Sequence, residues 1–191
     1  MSRIVVLGAG ESGAGAAVLA KVKGFDTFVS DMSAIKDKYK ELLNKHGIAW
    51  EEGQHTEELI LNADEVVKSP GIPNDAPLIL KLKEKGISII SEIEFAGRYT
   101  NAKMICITGS NGKTTTTTLT GEIMKAHFGE EKTFVVGNIG NPYTLEVTKT
   151  SKDSVTVGEI SSFQLETIHT FHPVVSAILN ITPDHLNRHH T

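Results

Sequence analysis

The stretch Thr108-Gly109-Ser110-Asn111-Gly112-Lys113-Thr114-Thr115 is a glycine loop that ends in a Lys-Thr pair. A short apolar run over residues 104–107 precedes it, and a helix-compatible segment over residues 116–126 follows it. The two glycines let the backbone turn so that successive N–H groups point inward, and the helix adds the positive end of its dipole. This order of strand, loop and helix predicts a phosphate-binding site, which we call the 108–115 loop.

The Lys-Thr pair gives the 108–115 loop its predicted chemistry. Lys113 would bring a positive charge to the terminal phosphates of a nucleotide, and the hydroxyl of Thr114 would ligate Mg²⁺. The strict Walker pattern is not met, because Ile107 lies where that pattern has its first glycine. The loop is a shorter Gly-x-x-Gly-Lys-Thr variant. The alternative is an ordinary turn, but a turn alone would not require the Lys-Thr pair.

Composition places the chain among globular proteins of one or two domains. The chain has 191 residues, of which 39% are hydrophobic and 22% charged. A net charge of −4 argues against a nucleic-acid partner. No apolar run approaches the ~18 residues of a membrane span, and the N-terminus runs straight into a strand pattern, so we expect no membrane partner and no signal peptide. The single Cys106, predicted to be a buried hydrophobe, fits a cytoplasmic location, and we expect a monomer.

A second glycine motif, Gly8-Ala9-Gly10-Glu11-Ser12-Gly13, follows the apolar run of residues 3–7. Small residues come next and indicate a helix lying close to a sheet. The strand predicted over residues 25–30 ends at Asp31, the distance at which a Rossmann fingerprint places an acid for a ribose hydroxyl. The motif therefore predicts a nucleotide at this sheet edge. The side chain of Glu11 would repel a diphosphate, so we expect it to face water while its N–H faces the ligand.

Strands and helices alternate through the first half of the chain, which predicts a parallel doubly wound sheet. The predicted strands are residues 3–7, 25–30, 48–51, 64–68 and 87–90, and the later helices are residues 35–46, 56–62, 77–85 and 91–99. Ser91 would cap the last helix, with Glu94 completing a capping box. Ser69-Pro70-Gly71 falls at a strand end, where it is either an ordinary turn or part of a ligand site.

The second half predicts another parallel sheet, beginning after a linker at residues 100–102. Its later strands, at residues 133–136, 154–157 and 174–179, each end in polar residues. Glu159 has the position of a strand-end acid that holds Mg²⁺, or else caps a helix or faces solvent. His185 is either a metal or phosphate ligand or an exposed loop histidine. The expected fold is α/β, with a Rossmann-like parallel-sheet N-terminal domain at 1–99 and part of a P-loop-type parallel-sheet ATP-binding domain at 100–191.

Taken together, these motifs resemble the Mur ligase family of peptidoglycan synthesis. The resemblance rests on the 108–115 loop, Gly137-Asn138-Ile139-Gly140, Glu159-Ile160-Ser161-Ser162-Phe163-Gln164-Leu165 and Asn180-Ile181-Thr182-Pro183-Asp184-His185. It implies that ATP is bound by Gly109, Ser110, Asn111, Gly112, Lys113, Thr114 and Thr115. It also implies that Thr114 and Glu159 hold one Mg²⁺, that His185 ligates a second, and that Lys113, Glu159 and His185 are catalytic.

The same resemblance implies a UDP-linked substrate rather than a dinucleotide on the first sheet. Glu11, Ser12, Ser69 and Gly71 match positions around the diphosphate, and Asp31, Met32 and Ser33 match the region around uracil. Asn138, Ser161 and His185 complete the implied substrate contacts. The Ser-Pro-Gly-Ile and Glu-x-Ser-Ser-Phe-Gln-Leu motifs indicate a ligase that adds D-glutamate to UDP-N-acetylmuramoyl-L-alanine through an acyl phosphate.

Family members also hold the second metal with a carbamylated lysine further along than Thr191 and use a third domain. We therefore expect this chain to be a fragment that does not turn over substrate by itself. The alternatives are another Mur ligase that adds a different amino acid, a dinucleotide-binding Rossmann protein, a simple kinase or NTPase, and a non-catalytic binding module.

Overall fold

Two sheets, each with all its strands parallel, organise the chain in the computed structural model, which describes residues 1–190. The first sheet has the order β3-β2-β1-β4-β5, a doubly wound arrangement. Its strands are β1 (Arg3–Leu7), β2 (Asp26–Asp31), β3 (Ala49–Glu52), β4 (Glu65–Lys68) and β5 (Ser88–Ile90). Its helices are α1 (Glu11–Val22), α2 (Asp37–Lys45), α3 (Glu57–Ile60), α4 (Pro77–Glu84) and α5 (Glu92–Gly97).

The second sheet has the order β7-β8-β6-β9. Its strands are β6 (Lys103–Thr108), β7 (Thr133–Gly137), β8 (Val155–Glu159) and β9 (Val175–Ile178). Its helices are α6 (Lys113–Phe128), α7 (Tyr143–Glu146), α8 (Ser162–Leu165) and α9 (Leu186–His189), with 3-10 turns at Glu130–Lys132 and Val147–Lys149. The predicted α/β class with two parallel sheets is confirmed.

The first glycine motif allows α1 to start close against the first sheet. A Cβ on Gly13 would lie 1.8 Å from the carbonyl oxygen of Gly8, so only glycine fits there. Gly8 itself has a φ of 91°, and a side chain on it would lie 2.7 Å from the Cβ of Ser69. The turns after β1 and β4 therefore touch at the C-terminal edge of the sheet, where doubly wound folds bind ligands.

One hydrophobic cluster joins the two sheets. It contains Val6 and Phe95 of the first sheet and its helices together with Met104 and Tyr143 of the second, all nearly inaccessible to solvent. Helix α7 packs against α1 at Gly15, where a Cβ would lie 2.6 Å from the Thr144 hydroxyl. Burying side chains of this size contributes roughly 1.5–3 kcal/mol each, so the shared cluster fixes how the sheets are oriented.

Most predicted elements exist with boundaries shifted by a few residues, and two details of the prediction need correction. Helix α6 begins at Lys113 rather than residue 116, because the helix continues directly from the glycine turn. Ser91 does cap α5, but the Glu94 side chain does not return to it. Glu94 instead accepts hydrogen bonds from residues 169–171, where three backbone N–H groups converge.

Within residues 1–190, no helix combines the length and the apolar character needed to cross a membrane.

Candidate functional site

The 108–115 loop is a tight turn held closed by its own lysine. Gly109 and Gly112 have φ angles of 138° and 84°, which side-chain-bearing residues rarely adopt. The Nζ of Lys113 donates to the carbonyl oxygens of Gly109 at 2.7 Å and Ser110 at 3.1 Å. Lys113 is also the first residue of the sixteen-residue helix α6, so its charge and the helix N-terminus lie at the same place.

Residues after β9 brace the same loop from the other side. Asn180 accepts from the N–H of Asn111 at 2.8 Å and donates to its carbonyl oxygen at 2.8 Å. The hydroxyl of Ser110 donates to the carbonyl of Thr182 at 3.0 Å. Asn180 was not among the predicted site residues. Its position after a predicted strand, at the sheet edge that also carries the 108–115 loop, is the sequence signal that could have identified Asn180.

Glu159 is a buried carboxylate at the end of β8, between the 108–115 loop and the turn after β7. Only 1% of the residue is exposed. It accepts a hydrogen bond from the Thr114 hydroxyl at 2.9 Å and another from the Asn138 amide at 2.8 Å. These donors are neutral, so they offset the buried negative charge only partly. Two hard oxygen ligands this close, beside the 108–115 loop, are of the type that a Mg²⁺ takes from a protein.

His185 lies on the opposite wall, in a less enclosed environment. Its backbone is left-handed, with a φ of 50°, and its ring packs against Phe163 with the ring centres 4.8 Å apart. The nearest acid is Asp184, 3.9 Å away and half exposed. Among residues 1–190, no three His, Cys, Asp or Glu side chains cluster closely enough to hold a metal by themselves.

Ser161 has a structural role that explains its position. Its hydroxyl accepts from the backbone N–H of Gln164, and the Gln164 side chain accepts from the Ser161 N–H at 2.9 Å. This capping box starts α8 directly after the Glu159 strand. Sequence reasoning placed a capping box at Ser91 and missed this one, although the Ser-x-x-Gln spacing was visible.

At the first sheet, Asp31 at the end of β2 supports the turn after β1. Asp31 accepts from the N–H of Ala9 at 2.6 Å and from the N–H of Ser33 at 2.8 Å. Each carboxylate oxygen accepts one backbone N–H, so Asp31 fixes the shape of the turn. Glu11 and Met32 are exposed, and the Glu11 side chain faces water as expected.

A cleft of about 610 Å³ runs between the two sheets. Seven of the predicted site residues line this cleft. They are Gly71 in the turn after β4, Gly109, Ser110 and Lys113 of the 108–115 loop, and Asn138, Ser161 and His185. The predicted uracil region at residues 31–33 and the Glu11-Ser12 pair lie outside these walls, at the edge of the first sheet.

Cys106 lies in β6, where burial raises the pKa of its thiol to about 12. The thiol is therefore protonated at neutral pH, and the predicted role as a buried hydrophobe is confirmed.

Comparisons with known proteins identify the class to which this fold and cleft belong. A family model described as Mur ligase MurD-like, N-terminal domain, matches residues 2–91, and one described as Mur ligase middle domain matches residues 107–191. The chain belongs to the Mur ligase family.

Within that family, the chain is similar to UDP-N-acetylmuramoylalanine--D-glutamate ligases. It is 67% identical over 189 residues to the one from Bacteroides thetaiotaomicron and 68% identical over 189 residues to the one from Bacteroides fragilis strain ATCC 25285. Each match covers 99% of this chain and 42% of the relative. The chain thus spans less than half the length of the curated relatives it matches.

The fold also matches a solved structure. It superposes on UDP-N-acetylmuramate:L-alanyl-gamma-D-glutamyl-meso-diaminopimelate ligase from Neisseria meningitides with a TM-score of 0.62 and 18% identity. The match covers 98% of this chain and 63% of that chain. At this identity the likeness establishes the shared fold alone.

Proposed function

We propose that this chain forms the substrate- and ATP-binding part of a cytoplasmic ligase that joins D-glutamate to UDP-N-acetylmuramoyl-L-alanine at the expense of ATP, in peptidoglycan precursor synthesis. One observation carries the proposal: Gly71 from the first sheet and Lys113 from the second line the same 610 Å³ cleft. A UDP-linked acid held at one wall would present its carboxylate to a nucleotide held at the other. The identity to D-glutamate ligases supports this choice of amino acid.

The division of labour follows the two sheets. Residues 1–99 form the UDP-binding domain, with Ser69 and Gly71 at the diphosphate and Asp31, Met32 and Ser33 near uracil. Residues 100–191 form the first part of the ATP-binding domain. The hydrophobic cluster that the two sheets share would hold the two proposed ligand sites at a fixed separation.

Lys113 and the 108–115 loop would bind the phosphates of ATP. Lys113 Nζ donates to two loop carbonyls, and these contacts keep its charge at the mouth of the loop. A phosphate oxygen is a stronger acceptor than a carbonyl, so nucleotide binding would redirect the ammonium without moving the helix. Mg²⁺ held by Thr114 and Glu159 would neutralise charge on the phosphates, which a carboxylate nucleophile requires.

The reaction would proceed in two steps. The substrate carboxylate attacks the γ-phosphorus of ATP, giving an acyl phosphate and ADP. The amine of D-glutamate then attacks the acyl carbon, and the intermediate releases phosphate to leave an amide. Asn138, Ser161 and His185 line the space between the two walls, where they would orient the reacting carboxylate, and His185 is the proposed ligand of a second Mg²⁺.

Calorimetric titration of the chain tests this proposal. We expect separate binding of UDP-N-acetylmuramoyl-L-alanine and of Mg-ATP, with no heat from NAD⁺ or FAD. Binding of a dinucleotide in place of the UDP compound would contradict the proposal for residues 1–99. Binding of Mg-ATP without the UDP compound would leave a simple nucleotide-binding protein.

A further inference from the structure

The turn formed by residues 69–72 is held from behind by two cations. Lys68 is 2% exposed, and its Nζ donates to the carbonyl oxygen of Ile72 at 2.6 Å and more weakly to that of Ser69 at 3.4 Å. Arg188 of α9 donates through Nη1 to the carbonyl oxygen of Pro70 at 2.9 Å. Three of the four carbonyl groups of the turn therefore face Lys68 or Arg188.

The orientation of these carbonyls decides where the N–H groups of the turn point. The N–H groups of Ser69 and Ile72 are used within the fold, on the carbonyls of Leu7 and Ser69. Proline has no N–H. Gly71 has the remaining N–H, which meets no acceptor among residues 1–186 and 188–190. In a planar trans peptide the carbonyl and the N–H point in opposite directions, so the Pro70 carbonyl bound to Arg188 turns the Gly71 N–H away from Arg188.

Arg188 is itself fixed by a paired acid. Its Nε and Nη2 donate to the two oxygens of Glu166 at 3.0 and 2.7 Å, a two-point contact that a lysine cannot reproduce. Asn74 donates to Glu166 at 2.7 Å, and the guanidinium lies 4.2 Å from the centre of the Phe163 ring. Side-chain exposures of 18% for Arg188 and 21% for Glu166 show that this contact is largely enclosed.

The charges agree with this geometry. The hydrogen bonds from Arg188 lower the pKa of Glu166, so the acid stays ionised and keeps its hold on the guanidinium. Burial, reinforced by the charge of Arg188, lowers the pKa of Lys68 to about 8. Both cations lie directly behind a turn whose Pro70 and Gly71 form part of the cleft wall.

We propose that Arg188 is a positioning residue, which holds the Pro70–Gly71 peptide so that the Gly71 N–H faces the cleft and donates to a phosphate group of the substrate. The inference rests on the proposed function in one respect, namely that this phosphate belongs to the UDP-linked substrate. Arg188 lies three residues after His185. The position of the 69–72 turn therefore also depends on the segment that carries His185.

The first test compares ligand affinities of Arg188→Met and Arg188→Lys with those of the parent chain by calorimetry. We expect Arg188→Met to weaken binding of UDP-N-acetylmuramoyl-L-alanine by about tenfold or more, the effect of losing one charged hydrogen bond. Arg188→Lys should recover only part of this loss, and Mg-ATP affinity should change less than about twofold in both. Parent-like affinity for the UDP compound in folded Arg188→Met would overturn the inference.

Arg98→Met is the control, because Arg98 also makes a two-point contact with an acid, through Nη1 and Nη2 to Glu65 at 2.6 and 3.0 Å, away from the cleft. It should leave both affinities unchanged. Melting temperatures separate lost binding from lost folding. If Arg188→Met does not fold, the test uses Arg188→Lys instead. Parent-like affinity of that variant for the UDP compound would then contradict the inference.

A second test follows the Gly71 amide by ¹H–¹⁵N NMR during titration with inorganic pyrophosphate. We expect a shift of this amide in the parent chain that is absent in Arg188→Met and reduced in Arg188→Lys. No response in the parent chain, or an equal response in the variants, would overturn the inference. A pyrophosphate response in the parent chain, lost in Arg188→Met, together with no binding of the UDP compound, would uphold the role of Arg188 and reject the proposed function.

Discussion

The hydroxyl of Thr114 donates to the carboxylate of Glu159 across 2.9 Å, linking the first turn of α6 to the end of β8. These residues belong to neighbouring segments at the C-terminal edge of one sheet, 45 positions apart in sequence. Their contact brings a hydroxyl and a buried charge to the mouth of the 108–115 loop. Removing the carboxylate of Glu159 should therefore change ATP affinity in a defined direction.

Glu159→Gln should remove the effect of Mg²⁺ on ATP binding. With Mg²⁺ present we expect affinity to fall by about tenfold or more, because a charged ligand is lost. Without Mg²⁺ affinity should not fall, since a carboxylate that repels phosphate has been removed. Calorimetry with and without Mg²⁺ measures both. Glu146→Gln is the control, because it alters a buried acid that accepts from Asn141 and Lys149 rather than from the 108–115 loop. Unchanged Mg²⁺ dependence in Glu159→Gln would contradict the assignment.

Glu92 predicts a loss of stability as pH rises. It is buried between α5 and α7, where it accepts from the Thr144 N–H at 2.7 Å and hydroxyl at 3.0 Å. Burial raises its pKa from 4.5 to about 7. The folded state holds this proton more tightly than the unfolded state, so its contribution is complete below pH 4.5 and is lost as pH rises through 7.

The test is urea unfolding between pH 5 and pH 8. Glu92→Gln mimics the protonated acid, so the parent chain should lose up to about 3 kcal/mol relative to this variant across the range. Parallel pH profiles for the two proteins would show that Glu92 does not titrate in this window.

Glu94→Gln should destabilise the chain by about 3 kcal/mol, the scale of charged hydrogen bonds lost from a buried site. Burial alone would raise the pKa of Glu94, but hydrogen bonds from the Thr170 hydroxyl and from the N–H groups of residues 169–171 outweigh it and lower the pKa to about 2. Its stabilisation is therefore present above pH 4.5 and is lost as pH falls towards 2.

Urea unfolding at pH 7 measures this difference. The control is Glu122→Gln, which removes an exposed ion pair with Lys125 on α6 and should change stability much less than Glu94→Gln does. Equal effects of the two substitutions would mean that the carboxylate of Glu94 has no special role.

Gly15→Ala should destabilise the chain by about 1 kcal/mol, although alanine favours helices. The added Cβ would lie 2.6 Å from the Thr144 hydroxyl and 3.1 Å from Leu145. Thr144 cannot move freely, because Glu92 binds it. Gly10→Ala adds the same atom at the start of α1 where nothing lies within 4 Å, so its melting temperature should match the parent chain. A stabilised Gly15→Ala would show that α1 and α7 can separate at little cost.

The sequence was sufficient for features that depend on neighbouring residues. The alternation of strands and helices, the two glycine loops and the Lys-Thr pair are local patterns, and the structure contains each of them. The position of Glu159 at a strand end was also visible, since parallel strands deliver their C-terminal residues to one edge. Thr114 and Asn138 as its two partners follow from that edge once the strand order is known.

What escaped prediction depends on residues far apart in the chain. Glu94 meets Thr170 at a separation of 76 positions, and Arg188 reaches Pro70 across 118. For Glu94 the local interpretation was a capping box with Ser91, and the sequence analysis assigned no role to Arg188. The three-dimensional contacts decide both cases, because a buried or enclosed charge takes the strongest partners within reach.

The hydrophobic cluster shared by the two sheets has a consequence for dissecting the protein. A cut near residue 99, at the sequence boundary between the two sheets, would separate Phe95 from Tyr143 and expose apolar surface on both pieces. The exposed apolar surface would make each half prone to aggregation when expressed alone. Biochemical work on residues 1–190 therefore needs the pair of sheets together, because a boundary placed by sequence motif alone would divide their shared hydrophobic cluster.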